Sequence, residues 1–236
     1  MIRERFRYRQ TIATILADAP GHSDAAKAGM LGARQVLEAY IARDPFFSTT
    51  FDPYLPDSDE QIVVRMARAA KTAGVGPMAA VAGAIAWAGI EALQEAGAEF
   101  GVIDNGGDIA LIADRDVRVG VHAGEAALSN RIAFLVPPQD SVLGICTSSA
   151  TVGPSISFGV ADAVTIFSRD VALADAWATA VCNQIRPDDL SVLDQVSPDD
   201  VQGISAIMGD QHVRWGMLPP IVRAEVDERL ISAGDR

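Results

Sequence analysis

The stretch MAAVAGAIAWAGIEALQEAGAEFGVIDNGGDIALIAD, Met78 to Asp114, decides how the chain folds. Its first half, to Glu95, is alanine and glycine with larger apolar residues between them, and reads as a small-residue helix. Such faces let neighbouring elements approach closely, which suits a buried central helix. The second half changes character. EFGVID and IALIAD are short apolar runs that read as strands, and Asn105-Gly106-Gly107-Asp108 between them carries the commonest signature of a tight hairpin.

Upstream, Ile2 to about Ile15 alternates and reads as one long strand or a strand pair. Arg3, Arg5, Arg7 and Arg9 would share one face of it, with Phe6 and Tyr8 on the other. That face is either solvated or a docking patch for an anionic partner. Ser23 or Asp24 can cap a helix running to about Ala42, stopped by Asp44-Pro45. FFSTTFDPYLPDS then reads as a loop and a candidate lid, and Asp57 with Glu60 resembles a capping pair for a helix from Ser58 to Thr72.

Downstream, VRVGVHA, RIAFLV, LGICT and AVTIF read as further strands, followed by a helix from about Asp170 to Gln184. Pro187 to Asp200 is acidic and loop-like, and GISAIMGDQHVRWG reads as a hairpin turning at Gly209-Asp210. No linker divides the chain. The expectation is an α+β fold forming one structural unit over residues 1–236, with 220–236 as a peripheral tail.

With 236 residues, 49% of them hydrophobic and 21% charged, the chain can bury a substantial core. A formal net charge of −12 points away from nucleic acid, whose binders carry a basic stripe that displaces counterions. Two cysteines, Cys146 and Cys182, supply neither a disulfide framework nor a four-ligand zinc site. The N-terminal MIRERFRYRQ has no apolar core of a signal peptide, and the longest apolar run, Pro77 to Ile90, is too short to span a bilayer. The expected location is therefore the cytoplasm.

Three motifs could carry chemistry. In the hairpin signature, two glycines let a backbone approach a ligand and Asp108 offers a carboxylate. In GICTSSATVGPSISFG, Gly144 to Gly159, the hydroxyls of Thr147, Ser148, Ser149, Thr151 and Ser155 suit a phosphate or pyrophosphate. This is not a P-loop, because no Gly-Lys-Ser/Thr follows. In VALADAWATAVCNQI, Asp175, Thr179 and Cys182 share one helix face. Asp175 and Thr179 could serve a hard cation such as Mg²⁺, or simply favour the helix. Cys146 is either a buried strand residue or a reactive thiol beside the hydroxyl loop. His22, His122 and His212 lack ligand spacing, though His122 falls close to the expected site.

Taken in order, GVGPMAAVAGAIA, NGGDI, GICTSS-TVG-S-SFG, ADAVT and LADAWATAV resemble the ApbE family, and more closely its small ApbE-like branch. The resemblance implies an α+β fold with a T-fold-like sheet packed with helices and FAD in a cleft. It also implies Mg²⁺-dependent transfer of FMN from FAD to a threonine or serine of an acceptor flavoprotein, or cleavage of the FAD pyrophosphate. On this resemblance Asp108 would contact the flavin nucleotide, and the chemistry of Asn105, Gly106, Gly107 and the hydroxyl loop makes them candidates for the same contact. The resemblance also makes Asp175 and Thr179 metal ligands; Asp175 and, from its place beside the hydroxyl loop rather than from the resemblance, Cys146 are the candidate catalytic residues. The family's His-x-x-Asp-Pro-x-Thr-Gly segment is replaced here by GPSISFG, and relatives in the branch often have histidine where this chain has Pro154. Proline has no side-chain group to move a proton. A non-catalytic ligand-binding or partner protein on the same fold is therefore the alternative. A sulfur-assimilation (homocysteine-related) factor using Cys146 is another. The small-residue helix also suggests a homodimer.

Overall fold

The computed structural model describes residues 1–152 and 159–226. The strand pair at the start is a hairpin of β1 (Ile2–Tyr8) and β2 (Thr11–Ala17). Next come α1 (Pro20–Arg43), α2 (Phe46–Thr49), α3 (Gln61–Ala73), a 3₁₀ turn at Pro77–Ala80 and α4 (Val81–Glu95). The strands β3 (Gly101–Asn105), β4 (Asp108–Ala113), β5 (Val117–Gly120), β6 (Ile132–Val136), β7 (Gln139–Ser148) and β8 (Ala163–Ser168) follow. The described residues end with α5 (Val171–Gln184), a 3₁₀ turn at Ser191–Gln195, β9 (Gly203–Met208), β10 (Gln211–Gly216) and β11 (Ile221–Arg223). The stretch expected as a peripheral tail from residue 220 thus begins with a strand, which pairs with β6.

Among the described residues every strand pair is antiparallel. Eight strands form one sheet in the order β1-β2-β3-β4-β7-β8-β9-β10, and β11-β6-β5 form a smaller one. Because side chains alternate across a sheet, the large sheet has two differently dressed faces. Ala13, Ile15, Ile103, Ala110, Cys146, Val164 and Ile166 join the core beneath the helices. Val102, Leu111, Leu143, Ile145, Ala163 and Phe167 join Phe134 and Val136 of the small sheet in a second core.

The small-residue reading of α4 holds for a measurable reason. A Cβ on Gly89 would lie 2.5 Å from the Ile103 side chain, and one on Gly29 of α1 would lie 2.6 Å from the Ala88 carbonyl and the Ala92 methyl. Glycine is what lets α1 and α4 close upon one another and upon β3. Those faces are consumed within the chain, so they supply no reason for a dimer. No single helix among the described residues is long and apolar enough to cross a membrane.

Several local expectations are corrected. α1 begins earlier, with Pro20 in its first turn and no side-chain cap. Ser23 is buried and donates to the Glu4 carboxylate at 2.5 Å instead. No side chain caps α3 either; the Glu60 N–H donates to Ser58 Oγ, and the Asp57–Glu60 capping pair does not form. α3 ends at Gly74, whose φ of +70° is the left-handed C-cap glycine adopts readily. The segment expected as a lid contains α2, and Phe47 in it is fully buried, edge-on to Tyr40 with ring centroids 5.2 Å apart.

Candidate functional site

A cavity of about 700 Å³ lies between the two sheets, with the first turn of α4 at one end. Its floor is the large sheet: Thr14 and Leu16 of β2, Asp104 of β3, Ile109 of β4, Thr147 of β7 and Thr165 of β8. Val117 to Val121, Phe134 and residues 224–226 close it from the other side. Arg3, Arg34, Arg118 and His122 contribute to the lining.

The hairpin signature opens into this cavity. Asn105 and Asp108 are directly paired, with only Gly106 (φ 74°) and Gly107 (φ 104°) between them. Both angles lie in the left-handed region that a two-residue hairpin requires. Asp104 Oδ1 accepts the Gly107 N–H at 2.9 Å and fixes the turn. The turn meets the hydroxyl loop where the Thr147 N–H donates to the Gly107 carbonyl at 3.1 Å. Asn105, Gly106, Gly107, Asp108, Thr147, Ser148 and Ser149 are thereby brought to one wall.

The hydroxyl loop divides in two. The Thr147 and Thr165 hydroxyls lie 2.9 Å apart on the cavity floor. Ser149 Oγ accepts the N–H groups of Thr151 and Val152 at 3.1 and 2.9 Å, so it shapes the loop. Thr151 does not join the lining; it is exposed and donates to Asp162 Oδ1 at 3.0 Å. Ser155 and Pro154 lie outside the described residues.

Behind the hairpin, under the helices, lies a buried acid pair. Asp175 projects from α5 to the start of α4, where its Oδ2 accepts the Gly83 N–H at 2.8 Å. The first N–H groups of a helix have no partner within it, so α5 caps α4 from outside. Asn105 completes the fastening, its side-chain N–H donating to the Ala82 carbonyl at 3.0 Å. Gly83 makes the approach feasible: a Cβ there would lie 2.8 Å from the Val171 carbonyl and 2.9 Å from Asp175 Cβ. Burial pushes the Asp175 carboxyl up to about 7, although the N–H groups of Gly83 and Ala82 pull it back in part.

Asp108 is the other member. The residue is half-buried, yet its Oδ1 is sealed from solvent and accepts no hydrogen bond. Burial, then the charges of Asp175 and Asp104, hold its carboxyl well above the usual range; the Thr147 N–H and Cys146 thiol only partly offset them. A buried, unsatisfied oxygen beside a second carboxylate is costly unless a proton or a cation neutralises it. Thr179 is half-buried one turn beyond Asp175 on α5, and neither residue lines the cavity. Asp108 joins the two regions: its residue lines the cavity and its charge acts on Asp175. Among the described residues no group of three or more His, Cys, Asp or Glu side chains could hold a metal ion. A cation would therefore depend on this acid pair, hydroxyls, main-chain carbonyls and water, a donor set that suits Mg²⁺.

Of the two readings of Cys146, the buried strand residue is the one the structure shows. It is fully buried, its thiol donates to the Val171 carbonyl at 3.5 Å, and burial with the nearby Asp108 and Asp175 pushes its pKa well above normal. Burial and a raised pKa suit a packed strand residue rather than a reactive thiol. Other lining residues went unread in the sequence. Asp104, Thr14 and Thr165 are polar residues within apolar strands, and that break in an apolar run was the available sign. His122, whose Nδ1 is 3.0 Å from Asn130 Oδ1, joins the lining because the small sheet folds over the large one.

The profile of the family described as AbpE bacteria matches residues 3–230. A UPF0280 protein of Methanoregula boonei is 70% identical over all of both chains. A UPF0280 protein of Methanoculleus marisnigri is 64% identical over 99% of this chain and 96% of that one. Among solved structures, the flavinyl transferase ApbE of Pseudomonas stutzeri in its apo form matches with a TM-score of 0.57 and 12% identity, over 99% of this chain and 98% of that one. The flavin transferase ApbE of Vibrio cholerae matches with a TM-score of 0.54 and 12% identity, over 91% and 96%. Identity this low speaks to fold alone, and the fold is that of the ApbE proteins: helices packed with antiparallel sheet.

Proposed function

The chain belongs to the AbpE bacteria family, and on that premise we propose that its cavity binds a flavin nucleotide, FAD or FMN, with Mg²⁺ held by Asp108, Asp175 and Thr179. The reaction that fits is cleavage of the FAD pyrophosphate, with water or a serine or threonine of an acceptor flavoprotein taking the FMN. The observation carrying this reading is the sealed, partnerless Oδ1 of Asp108 beside Asp175, at the wall of a cavity of about 700 Å³. Such an oxygen fits a cation better than any side chain around it.

Each part of the chain then has a task. Gly106 and Gly107 give a nucleotide close access to the backbone, and Thr147 and Ser148 offer hydroxyl donors to phosphate oxygens. Ile109, Val119 and Phe134 supply apolar wall for a flat ring and exclude water. Asp175 is oriented by the Gly83 N–H, which its Oδ2 accepts. Bound Mg²⁺ would neutralise phosphate charge as the pyrophosphate divides. The name ApbE on the solved relatives supports flavin handling as the first chemistry to test.

A second reading is a binding protein on the same fold that lacks turnover. It is favoured by GPSISFG, which offers no histidine where the family pattern has one. Purified protein mixed with FAD and Mg²⁺ separates the two. Release of AMP and FMN, followed by chromatography and lowered about hundredfold or more in Asp175→Ala, is the expected result. Tight FAD binding without AMP release assigns the binding protein. If FAD neither loses fluorescence on mixing nor raises the melting temperature, the flavin reading fails.

A further inference from the structure

We infer that residues 44–64, the connection from α1 through α2 into α3, form a docking platform for a cationic segment of a partner polypeptide that also carries apolar side chains. Eight large apolar side chains are exposed among the described residues, and four of them, Phe46, Phe51, Leu55 and Val64, fall in this stretch. Scattered single exposures are ordinary, whereas a concentration of this kind marks an interaction surface. Phe46 is 57% exposed and Leu55 69%. None of residues 44–64 lines the cavity of about 700 Å³, so the platform does not depend on which nucleotide fills it.

The stretch is held in place from beneath. Phe47 is fully buried, with its ring edge-on to Tyr40 at 5.2 Å and to Tyr54 at 6.4 Å between centroids. Phe46 meets the Tyr54 ring edge-on at 5.2 Å and still shows more than half its surface. The Tyr40 hydroxyl donates to Asp44 Oδ2 at 2.8 Å. The Thr50 carbonyl occupies the space that a Cβ on Gly76 would need, 2.1 Å away. Pro53 and Pro56 fix two further φ angles on either side of Leu55. A frame of this kind loses little freedom when a partner covers it.

Charge selects the occupant. Residues 44–64 include five carboxylates, at Asp44, Asp52, Asp57, Asp59 and Glu60, and no lysine, arginine or histidine. Asp52, Asp57, Asp59 and Glu60 are exposed and enter no ion pair among the described residues. The cations at either end are engaged: Arg43 lies over the Tyr40 ring, and Arg65 pairs with Glu91 and lies over Trp87. A second copy in two-fold pairing would bring these carboxylates together. Anionic lipid headgroups and nucleic-acid phosphates meet the same repulsion. A polypeptide whose lysines or arginines flank apolar side chains satisfies both features. Its cations face the carboxylates, and its apolar residues cover Phe46 and Leu55.

The test uses the full chain and a fluorescein-labelled amphipathic helical peptide of leucine and lysine, followed by anisotropy. Binding should weaken at least tenfold in Phe46→Ser/Leu55→Ser. It should weaken several-fold in Asp57→Asn/Asp59→Asn, which removes charge and leaves the aromatic frame intact. Asp188→Asn/Asp194→Asn takes the same charge from a second acidic stretch and should leave binding unchanged. A peptide of the same composition, scrambled so that no apolar face forms, should bind several-fold more weakly. If Phe46→Ser lowers the melting temperature, Leu55→Ser alone reads the apolar arm. No binding to the wild type, equal binding of both peptides, or no effect of the Asp57 and Asp59 pair overturns the proposal. So does an equal effect of the two asparagine pairs, which would reduce the binding to net charge. Self-association in sedimentation, or binding to phosphatidylcholine vesicles, that Leu55→Ser abolishes would assign the surface to a second copy or to a membrane and overturn it as well.

Discussion

The two faces of the eight-stranded sheet are built from the same strands and differ in what covers them. On one, helices approach to glycine distance: Gly29, Gly83, Gly89 and Gly144 each leave less than 3 Å to a neighbour for an added Cβ. On the other, a three-stranded sheet stands off over Thr14, Asp104, Thr147 and Thr165 and leaves a cavity of about 700 Å³. Helices with alanine and glycine faces can follow a twisted sheet closely, whereas two sheets pack about 10 Å apart through larger side chains. Polar residues on the second face leave that space unfilled. The first face gives rigidity and holds the acid pair in place. The second gives room.

Substitutions can break this contrast. The largest effect is expected from Gly83→Ala, which forces a methyl between α4, the Val171 carbonyl and Asp175. Overpacking of this kind costs about 1–3 kcal/mol or more, which should lower the melting temperature by roughly 5–10 °C. A melting temperature unchanged by calorimetry would mean that α5 does not pin the start of α4.

A smaller effect should come from Asp108→Asn, read as a pH dependence. Burial raises both carboxyls above their ordinary value of 3.8, Asp175 to about 7 and Asp108 well above normal. The folded chain then holds protons that the unfolded chain releases. This contribution to stability is full below about 4 and is lost as pH rises through about 7 and beyond. In chelator, the wild-type melting temperature should therefore fall between pH 5 and pH 8. The variant should fall less and melt a few degrees higher at pH 8. Adding Mg²⁺ should close the gap by stabilising the wild type alone. An identical pH profile for the two proteins would remove Asp108 from the acid pair.

The smallest effect is expected from Thr165→Val on the cavity face. It removes a 2.9 Å contact with the Thr147 hydroxyl, which lines the cavity and can turn to water. The cost should stay near 1 kcal/mol, measured by urea titration. A loss as large as that of Gly83→Ala would show the two faces to be equally tight.

Much of the fold could be read directly from the chain. Alternation in Ile2 to Ile15, small residues in Met78 to Glu95 and the Asn105 to Asp108 signature correspond to β1–β2, α4 and the β3–β4 turn. Caps were read less well, because Ser23, Asp57 and Glu60 have the right chemistry at positions where tertiary contacts or an earlier helix start take precedence. Of the candidate site residues, the turn and the first half of the hydroxyl loop, singled out by composition, do come together along the cavity. Asp104, Thr14 and Thr165 were not singled out, since they lie on strands far apart in sequence and meet only when those strands are laid side by side in the large sheet.

The sequence by itself therefore determined the elements, because local periodicity and turn chemistry act over a few residues. It also singled out the Asn105–Asp108 turn and Thr147 to Ser149, residues that line one cavity. Tertiary structure alone decided that Asp175 caps a different helix, that Asp108 has a carboxylate oxygen with no partner, and that Cys146 is sealed. It alone set the arginines of β1 on the face of the cavity. Burial, register and charge coupling depend on which strands lie side by side, and no window along the chain contains that information.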